Sequence, residues 1–198
     1  ESEFDGMFLT RDRVFPDGAS QEHLDLIYRP RPWPPFTTYE LAGEAREIWT
    51  TFTRKQIDLD VNHPAAWNYL MTVLDRFREA GIDIVRLDAI GYAIKKPGTT
   101  SFMIPECFAF IQRVTDATRA RGMDVLVEVH SHHRFQVAVA GQVDRVYDFA
   151  LPPLVLYGLL CGDAEPLGRW LEMAPRNCVT VLDTHDGIGV VDVAPEGA

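Results

Sequence analysis

Apolar residues recur every three or four positions across residues 64–81, and this spacing predicts an amphipathic helix. The proline at its start suits the first helical position, and the glycine at its end favours termination. The apolar run that follows, residues 82–88, predicts a strand buried on both faces. The same unit then repeats as a helix over residues 105–122 and a strand over residues 123–129.

The alternation of helix and strand continues toward the end of the chain. Residues 143–151 predict a third strand, Pro152 and Pro153 open another helix, and residues 179–184 predict a fourth strand. Strands that alternate with helices favour a parallel sheet.

Residues 1–60 differ from the rest, because they lack helical periodicity and are rich in proline and turn signals. We expect a loop-rich inserted subdomain there, with a few short strands, one of them over residues 48–53.

Carboxylates follow three of the four predicted strands: Asp88, Glu128, and Asp183 with Asp186. Barrel enzymes collect their catalytic groups at the carboxyl ends of strands, and the glycine-rich fingerprint of a dinucleotide-binding sheet is absent. The sequence therefore predicts an α/β fold in which residues 61–198 supply about four of the eight strands of a (β/α)8 barrel. The chain begins without methionine and ends directly after a strand-like run, so we expect a barrel truncated at both ends.

Composition narrows the class of partner. The chain has 198 residues, 46% of them hydrophobic, and a formal net charge of -10, which argues against nucleic acid or an anionic membrane as partner. Its three cysteines have no CxxC spacing, which fits a reducing cytoplasm. We also find no signal-peptide pattern and no apolar run near the roughly 18 residues that span a bilayer.

Arg86 and Asp88 are two positions apart on a strand, so their side chains point the same way. A guanidinium beside a carboxylate favours its ionised form, which suits Asp88 to act as a nucleophile. Glu128 ends an otherwise apolar strand, which favours the protonated form part of the time and suits an acid and base. Such a pair is typical of glycoside chemistry, although an arginine and aspartate on one strand also form structural ion pairs.

Three stretches resemble, in order, the second, third and fourth signature regions of the α-amylase superfamily of glycoside hydrolases and transglycosylases. They are IVRLDAIGY at residues 84–92, LVEVH at residues 126–130 and VLDTHDGIG at residues 181–189. Residues 28–37, 98–106 and 143–154 are similar to the sucrose phosphorylase branch of that superfamily.

This resemblance implies a role for each matching residue. Asp88 would be the nucleophile that forms a β-glucosyl ester, and Glu128 the acid and base. Asp186 would bind sugar hydroxyls and stabilise the oxocarbenium-like transition state. Arg86 would hold Asp88 in place, and His185 would bind hydroxyls of the same glucosyl unit.

The resemblance also implies the partners. Arg31 and His130 match positions that face the acceptor and suit inorganic phosphate, and Tyr92 matches a residue near the sugar. The expected substrates are sucrose or a related α-glucoside and phosphate, with a homodimer as a candidate assembly. No cofactor is expected, and the histidine cluster at residues 130–134 lacks the spaced ligands of a metal site.

Other interpretations stay open. Close relatives phosphorolyse sucrose 6'-phosphate, glucosylglycerol or glucosylglycerate, and an α-glucosidase or transglucosidase of the same superfamily would need the same three carboxylates. A metal-dependent barrel lyase or isomerase is a rival from another class, which the pairing of Arg86 with Asp88 opposes. A non-catalytic relative kept for binding would not need all three acids. The first signature region, the last barrel strand and the C-terminal domain have no match, so we expect this segment alone to be inactive.

Overall fold

The computed structural model of the chain describes residues 3–4, 6–41, 43–184 and 186–193. The chain divides into two units: residues 1–80 with 91–110 form the first, and residues 81–90 with 111–198 form the second. The predicted boundary at residue 60, between an inserted subdomain and a barrel, stays a prediction. Every described helix is too short or too polar to cross a bilayer.

The first unit is built around an antiparallel hairpin. Its elements are α1 (Arg11–Val14), α2 (Gln21–Leu26), β1 (Phe36–Leu41), β2 (Glu44–Trp49) and α3 (Pro64–Glu79). Strands β1 and β2 pair along their whole length, and the end of β2 joins a small apolar core of Leu9, Val14, Phe15, Ile27 and Trp49.

The predicted strand over residues 48–53 is wrong in its limits, because β2 ends at Trp49. The backbone N–H of Thr51 donates to the side chain of Asp58 at 3.0 Å, so this donor is satisfied outside the sheet. Residues 50–53 therefore leave the strand.

Helix α3 has the limits that proline and glycine predict. Its first residue is Pro64, and the preceding His63 side chain accepts a hydrogen bond from the Ala65 N–H at 3.2 Å. This bond satisfies one of the N–H groups that a helix start leaves without an intrahelical partner. The helix ends before Gly81, which adopts a left-handed backbone with φ +76°.

The second unit contains the parallel sheet. Its strands are β3 (Ile84–Leu87), β4 (Asp124–Val127), β5 (Arg145–Asp148) and β6 (Cys178–Thr180). The helices are α4 (Pro105–Arg119), which begins in the first unit, α5 (His133–Ala140), α6 (Leu151–Cys161) and α7 (Glu165–Met173). The strands lie in the order β3-β4-β5-β6, all parallel. An order without reversal is typical of a barrel, whereas a doubly wound sheet reverses its order.

Three predictions about the strands need correction. The third strand, predicted over residues 143–151, covers Arg145–Asp148, because Leu151 begins α6. Strand β3 is not buried on both faces: Val85 is buried, but Ile84 is 44% exposed and Arg86 is also exposed. β3 lies at the edge of the described sheet and pairs with β4 alone, so less of the protein covers it. The fourth strand ends at Thr180 instead of residue 184, because its pairing with β5 stops at that residue.

The register of β3 and β4 sets the level of the strand ends. Leu87 pairs with Val127, so the residues that follow them, Asp88 and Glu128, leave the sheet side by side. The Glu128 N–H donates to the Leu87 carbonyl at 3.1 Å and continues the ladder by one bond.

Candidate active site

Arg86 connects the two carboxylates at the ends of β3 and β4. Its Nη1 lies 3.5 Å from Asp88 Oδ2, and its Nη2 forms an ion pair with Glu128 Oε2. The pairing with Asp88 is the one that the sequence predicts. The contact with Glu128 was not predicted, because it depends on the register of two strands that are 40 residues apart in the chain. The guanidinium of Arg86 therefore contacts both carboxylates.

The two carboxylates differ strongly in exposure. The Asp88 side chain is 66% exposed, whereas the Glu128 side chain is 3% exposed. Asp88 is thus open to a ligand. Burial of Glu128 disfavours its charged form and the Arg86 contact favours it, and these opposing effects suit a group that gives and takes a proton.

The backbone turns sharply directly after Asp88. Ala89 has φ +51°, in the left-handed region that residues with a Cβ rarely adopt. Such strain concentrates at functional sites, where the surrounding structure holds it.

His130 links Glu128 to Asp186. Its Nε2 lies 3.7 Å from Glu128 Oε1 and 3.9 Å from Asp186 Oδ2. The imidazole ring stacks on the ring of Phe149, with centroids 3.7 Å apart. The second unit thus brings together five of the eight candidate site residues: Arg86, Asp88, Glu128, His130 and Asp186.

A metal ion is the other ligand to consider at this point. Among the described residues, Glu128, His130 and Asp186 offer oxygen and nitrogen atoms that all lie within 4.8 Å of one another. The Arg86 guanidinium already contacts Glu128 and would repel a cation. This repulsion disfavours a metal ion at the cluster.

Asp192 is a buried acid that the sequence analysis missed. Its side chain is fully buried, Oδ1 accepts a hydrogen bond from the Ser131 N–H at 3.1 Å, and Oδ2 lies 3.7 Å from His130 Nδ1. Burial raises the pKa of Asp192, and the neighbouring His130 opposes that shift. The feature of the sequence that could have indicated Asp192 is a single acid within the apolar run GVVDV at residues 189–193.

Asp148, the last residue of β5, is a second acid that the sequence analysis missed. Its Oδ1 accepts hydrogen bonds from the Trp170 indole N–H at 3.0 Å and from the Leu151 N–H at 3.1 Å. These bonds fix the start of α6 and attach α7, so we assign Asp148 a structural role. Burial raises the pKa of Asp148, against the effect of these hydrogen bonds.

This raised pKa predicts how stability depends on pH. Because the folded state holds the Asp148 proton more tightly than the unfolded state, stability falls as pH rises from about 4 through the folded pKa. Asp148→Asn removes this titration. Urea unfolding at pH 4 to 7 should therefore show wild type losing stability relative to the variant as pH rises. A constant difference across that range would contradict the prediction.

Tyr92 and Arg31 belong to the first unit, and His185 lies outside the described residues. The Tyr92 ring packs 4.5 Å from Phe102, centroid to centroid, and burial raises the pKa of its hydroxyl. Arg31 is exposed and lines an open cavity of about 560 Å³ together with Arg29 and Thr100. The roles of Tyr92 and Arg31 stay predictions.

Comparison with known proteins tests the resemblance that the sequence suggests. No family model matches the chain. The chain is 56% identical to a sucrose phosphorylase from Agrobacterium vitis, over 98% of this chain and 40% of that protein. It is 49% identical to a sucrose phosphorylase from Bifidobacterium adolescentis, over 99% of this chain and 39% of that protein. The resemblance to sucrose phosphorylases is confirmed.

The solved structure of a sucrose 6F-phosphate phosphorylase from Thermoanaerobacter thermosaccharolyticum matches the same fold. The TM-score is 0.90 at 36% identity, and the match covers 100% of this chain and 41% of that one. The predicted α/β fold class is thereby confirmed. The chain spans about 40% of the length of the phosphorylases that it matches.

Proposed function

We propose that the enzyme containing this chain transfers glucosyl units with retention, by reversible phosphorolysis of sucrose to α-D-glucose 1-phosphate and fructose. The observation that carries this proposal is the chain of contacts from exposed Asp88 through Arg86 to buried Glu128. It supplies two carboxyl groups side by side, one of them open to the substrate, and double displacement uses such a pair as nucleophile and as acid and base. The identity to two sucrose phosphorylases supports sucrose as the donor.

The first half of the reaction forms a covalent intermediate. An Asp88 oxygen attacks the anomeric carbon while the bond from that carbon to the fructosyl oxygen breaks. Glu128 gives its proton to the departing oxygen, so fructose leaves as a neutral alcohol. The product is a β-glucosyl ester of Asp88. Arg86 holds Asp88 in position, and Asp186 and His185 bind hydroxyls of the glucosyl unit.

The second half returns the enzyme to its starting state. A phosphate oxygen attacks the anomeric carbon, its proton passes to Glu128, and the ester bond to Asp88 breaks. Two inversions give net retention, so the product is the α-phosphate. His130 lies 3.7 Å from Glu128, which supports a role beside the attacking phosphate.

Arg31 is the second group proposed to bind phosphate, and Tyr92 is proposed to pack near the sugar. A guanidinium binds phosphate oxygens through paired hydrogen bonds. Prolines flank Arg31 on both sides, and a stiff loop loses less entropy when it binds an anion.

Arg31→Ala should therefore raise the KM for phosphate by about tenfold, which is roughly 1.4 kcal/mol of binding. Hydrolysis of the donor without phosphate should change much less. Arg29→Ala is the matched control, because Arg29 lines the same cavity while its Nη1 donates to the Trp33 carbonyl at 3.4 Å. An unchanged ratio of phosphorolysis to hydrolysis would remove Arg31 from the acceptor site.

The proposed reaction is tested with the complete enzyme and four donors, each supplied with phosphate: sucrose, sucrose 6'-phosphate, glucosylglycerol and glucosylglycerate. We expect glucose 1-phosphate to form fastest from sucrose. Faster reaction with another donor would reassign the substrate within the same mechanism. Free glucose as the main product would indicate a hydrolase, and loss of activity with a chelator would revive a metal-dependent reaction.

Location and assembly complete the proposal. We propose a cytoplasmic location, which the free thiols of Cys107, Cys161 and Cys178 support. A homodimer stays a prediction.

A further inference from the structure

We propose that Asp192 is a positioning residue for His130: its carboxylate accepts a hydrogen bond from the protonated Nδ1 and so directs Nε2 into the gap between Glu128 and Asp186. This inference deepens the proposed function and depends on it only for its effect on phosphate. The effect on the imidazole ring itself can be measured without any turnover.

The contacts of Asp192 assign one of its oxygens to His130. Oδ1 is occupied, because the Ser131 N–H donates to it at 3.1 Å. Oδ2 is buried and has His130 Nδ1 at 3.7 Å. A buried carboxylate is costly unless a donor accompanies it. No hydrogen-bond donor reaches Oδ2 among the described residues, and His130 Nδ1, at 3.7 Å, is an atom beside it that can donate.

The groups around His130 restrict the orientation of its ring. Carboxylates lie on both sides of the ring: Asp192 at Nδ1, and Glu128 with Asp186 at Nε2. Stacking on Phe149 restricts the plane of the ring. With Nδ1 held by Asp192, Nε2 is the atom left to meet a ligand beside Glu128.

Gly189 gives independent support for a close fit around this pair. A Cβ at this position would lie 2.6 Å from Asp192 Oδ2 and 3.6 Å from His130 Nδ1. The backbone of Gly189 has φ -86°, which any residue adopts. The glycine is therefore needed for space beside Asp192 Oδ2, not for its conformation.

Asp192→Asn tests the inference with almost no change in shape. The backbone N–H of Ser131 requires an acceptor, so the amide oxygen of the variant should take the place of Oδ1. The amide NH2 group then faces His130 Nδ1 as a donor. His130 Nδ1 must lose its proton to accept this bond, and the ring becomes a neutral imidazole protonated on Nε2. Such a reversal of tautomer is the known effect of the same substitution beside a catalytic histidine.

The experiment uses the complete enzyme with ¹⁵N-labelled histidine, and the His130 signal is identified by its loss in His130→Gln. We expect a protonated Nδ1 in wild type and an unprotonated Nδ1 in Asp192→Asn. The matched control is Asp148→Asn, which changes another buried acid, at the end of β5, that contacts Trp170 instead of His130. It should leave the His130 signal as in wild type.

A kinetic measurement connects the ring to the reaction. In the proposed wild-type arrangement the ring is protonated on both nitrogens, so Nε2 donates to phosphate and the ring carries a positive charge. Asp192→Asn keeps the Nε2 proton but removes that charge, so the KM for phosphate should rise about tenfold, while hydrolysis of the donor changes less than about twofold. Asp148→Asn should change neither value.

Two results would overturn the inference: an unprotonated Nδ1 in wild type, which does not depend on the folding of Asp192→Asn, or an Nδ1 that stays protonated in Asp192→Asn. If the ¹⁵N results hold but no glucose 1-phosphate forms from any donor, the proposed function fails and the positioning role stands. If phosphorolysis is present and the ¹⁵N signal of the variant is unchanged, the positioning role fails alone.

Discussion

Asp88→Asn is expected to reduce glucosyl transfer by about 10⁴-fold or more, because an amide oxygen cannot form the covalent ester. The fold should stay intact, since the Asp88 side chain is 66% exposed and asparagine has the same shape. The measurement is the rate of glucose 1-phosphate formation by the complete enzyme, with thermal unfolding to check the fold. Loss of one ion pair to an exposed group should change stability little.

The matched control is Asp83→Asn, which changes an exposed aspartate just before the other end of the same strand. It should keep nearly full activity, because nothing at that end of the sheet takes part in the proposed reaction. Turnover by Asp88→Asn at the wild-type rate would remove Asp88 from the nucleophile role. Equal losses in both variants would indicate damage to β3 instead of chemistry.

The elements that the sequence predicted well are those with signals in their own residues. Helix α3 has both a proline at its start and a glycine beyond its end, and its limits were right. Strands β3 and β4 consist of short apolar runs between helices, so their order and parallel direction followed from the alternation.

The missed elements depend on partners far away in the chain. The hairpin strand β1 is FTTYEL, a mixed sequence whose pairing with β2 decides its conformation. Strand β6 was predicted too long, because its three paired residues are set by the length of contact with β5. Helix α7 was not predicted, although Trp170 anchors it by bonding to Asp148.

The same difference between local signals and distant contacts applies to the residues of the candidate site. Asp88 and Glu128 were found because each follows a recognisable strand. The second contact of Arg86 required the register, and Asp192 meets Ser131 across 61 positions of sequence. A pattern in neighbouring residues cannot indicate a contact between residues that are so far apart in the sequence. Residues on or next to a recognisable strand were therefore predictable, whereas contacts between distant segments were not.

Glu128→Gln is expected to slow phosphorolysis of sucrose by roughly 10²- to 10⁴-fold, the usual contribution of a general acid and base. Glutamine cannot protonate the departing fructose or accept the proton of phosphate. The variant should still form the ester of Asp88 from a donor such as α-glucosyl fluoride, because fluoride leaves without a proton. Glu165→Gln is the control, since Glu165 is an exposed glutamate paired with Arg169 on α7.

Azide then separates the roles of the two acids by the anomer that forms. Azide carries no proton, so it can attack the glucosyl ester of the Glu128→Gln enzyme without a base and release Asp88 as a carboxylate. This attack inverts the β-ester, and the product should be α-glucosyl azide. In Asp88→Gly, azide would instead occupy the vacated position, attack the donor directly and give the β anomer. The β anomer from Glu128→Gln, or no response to azide at all, would contradict the assignment of Glu128. In the proposed mechanism Glu128 is the acid for the leaving group and the base for the acceptor, so an acceptor that carries no proton should restore turnover in its absence.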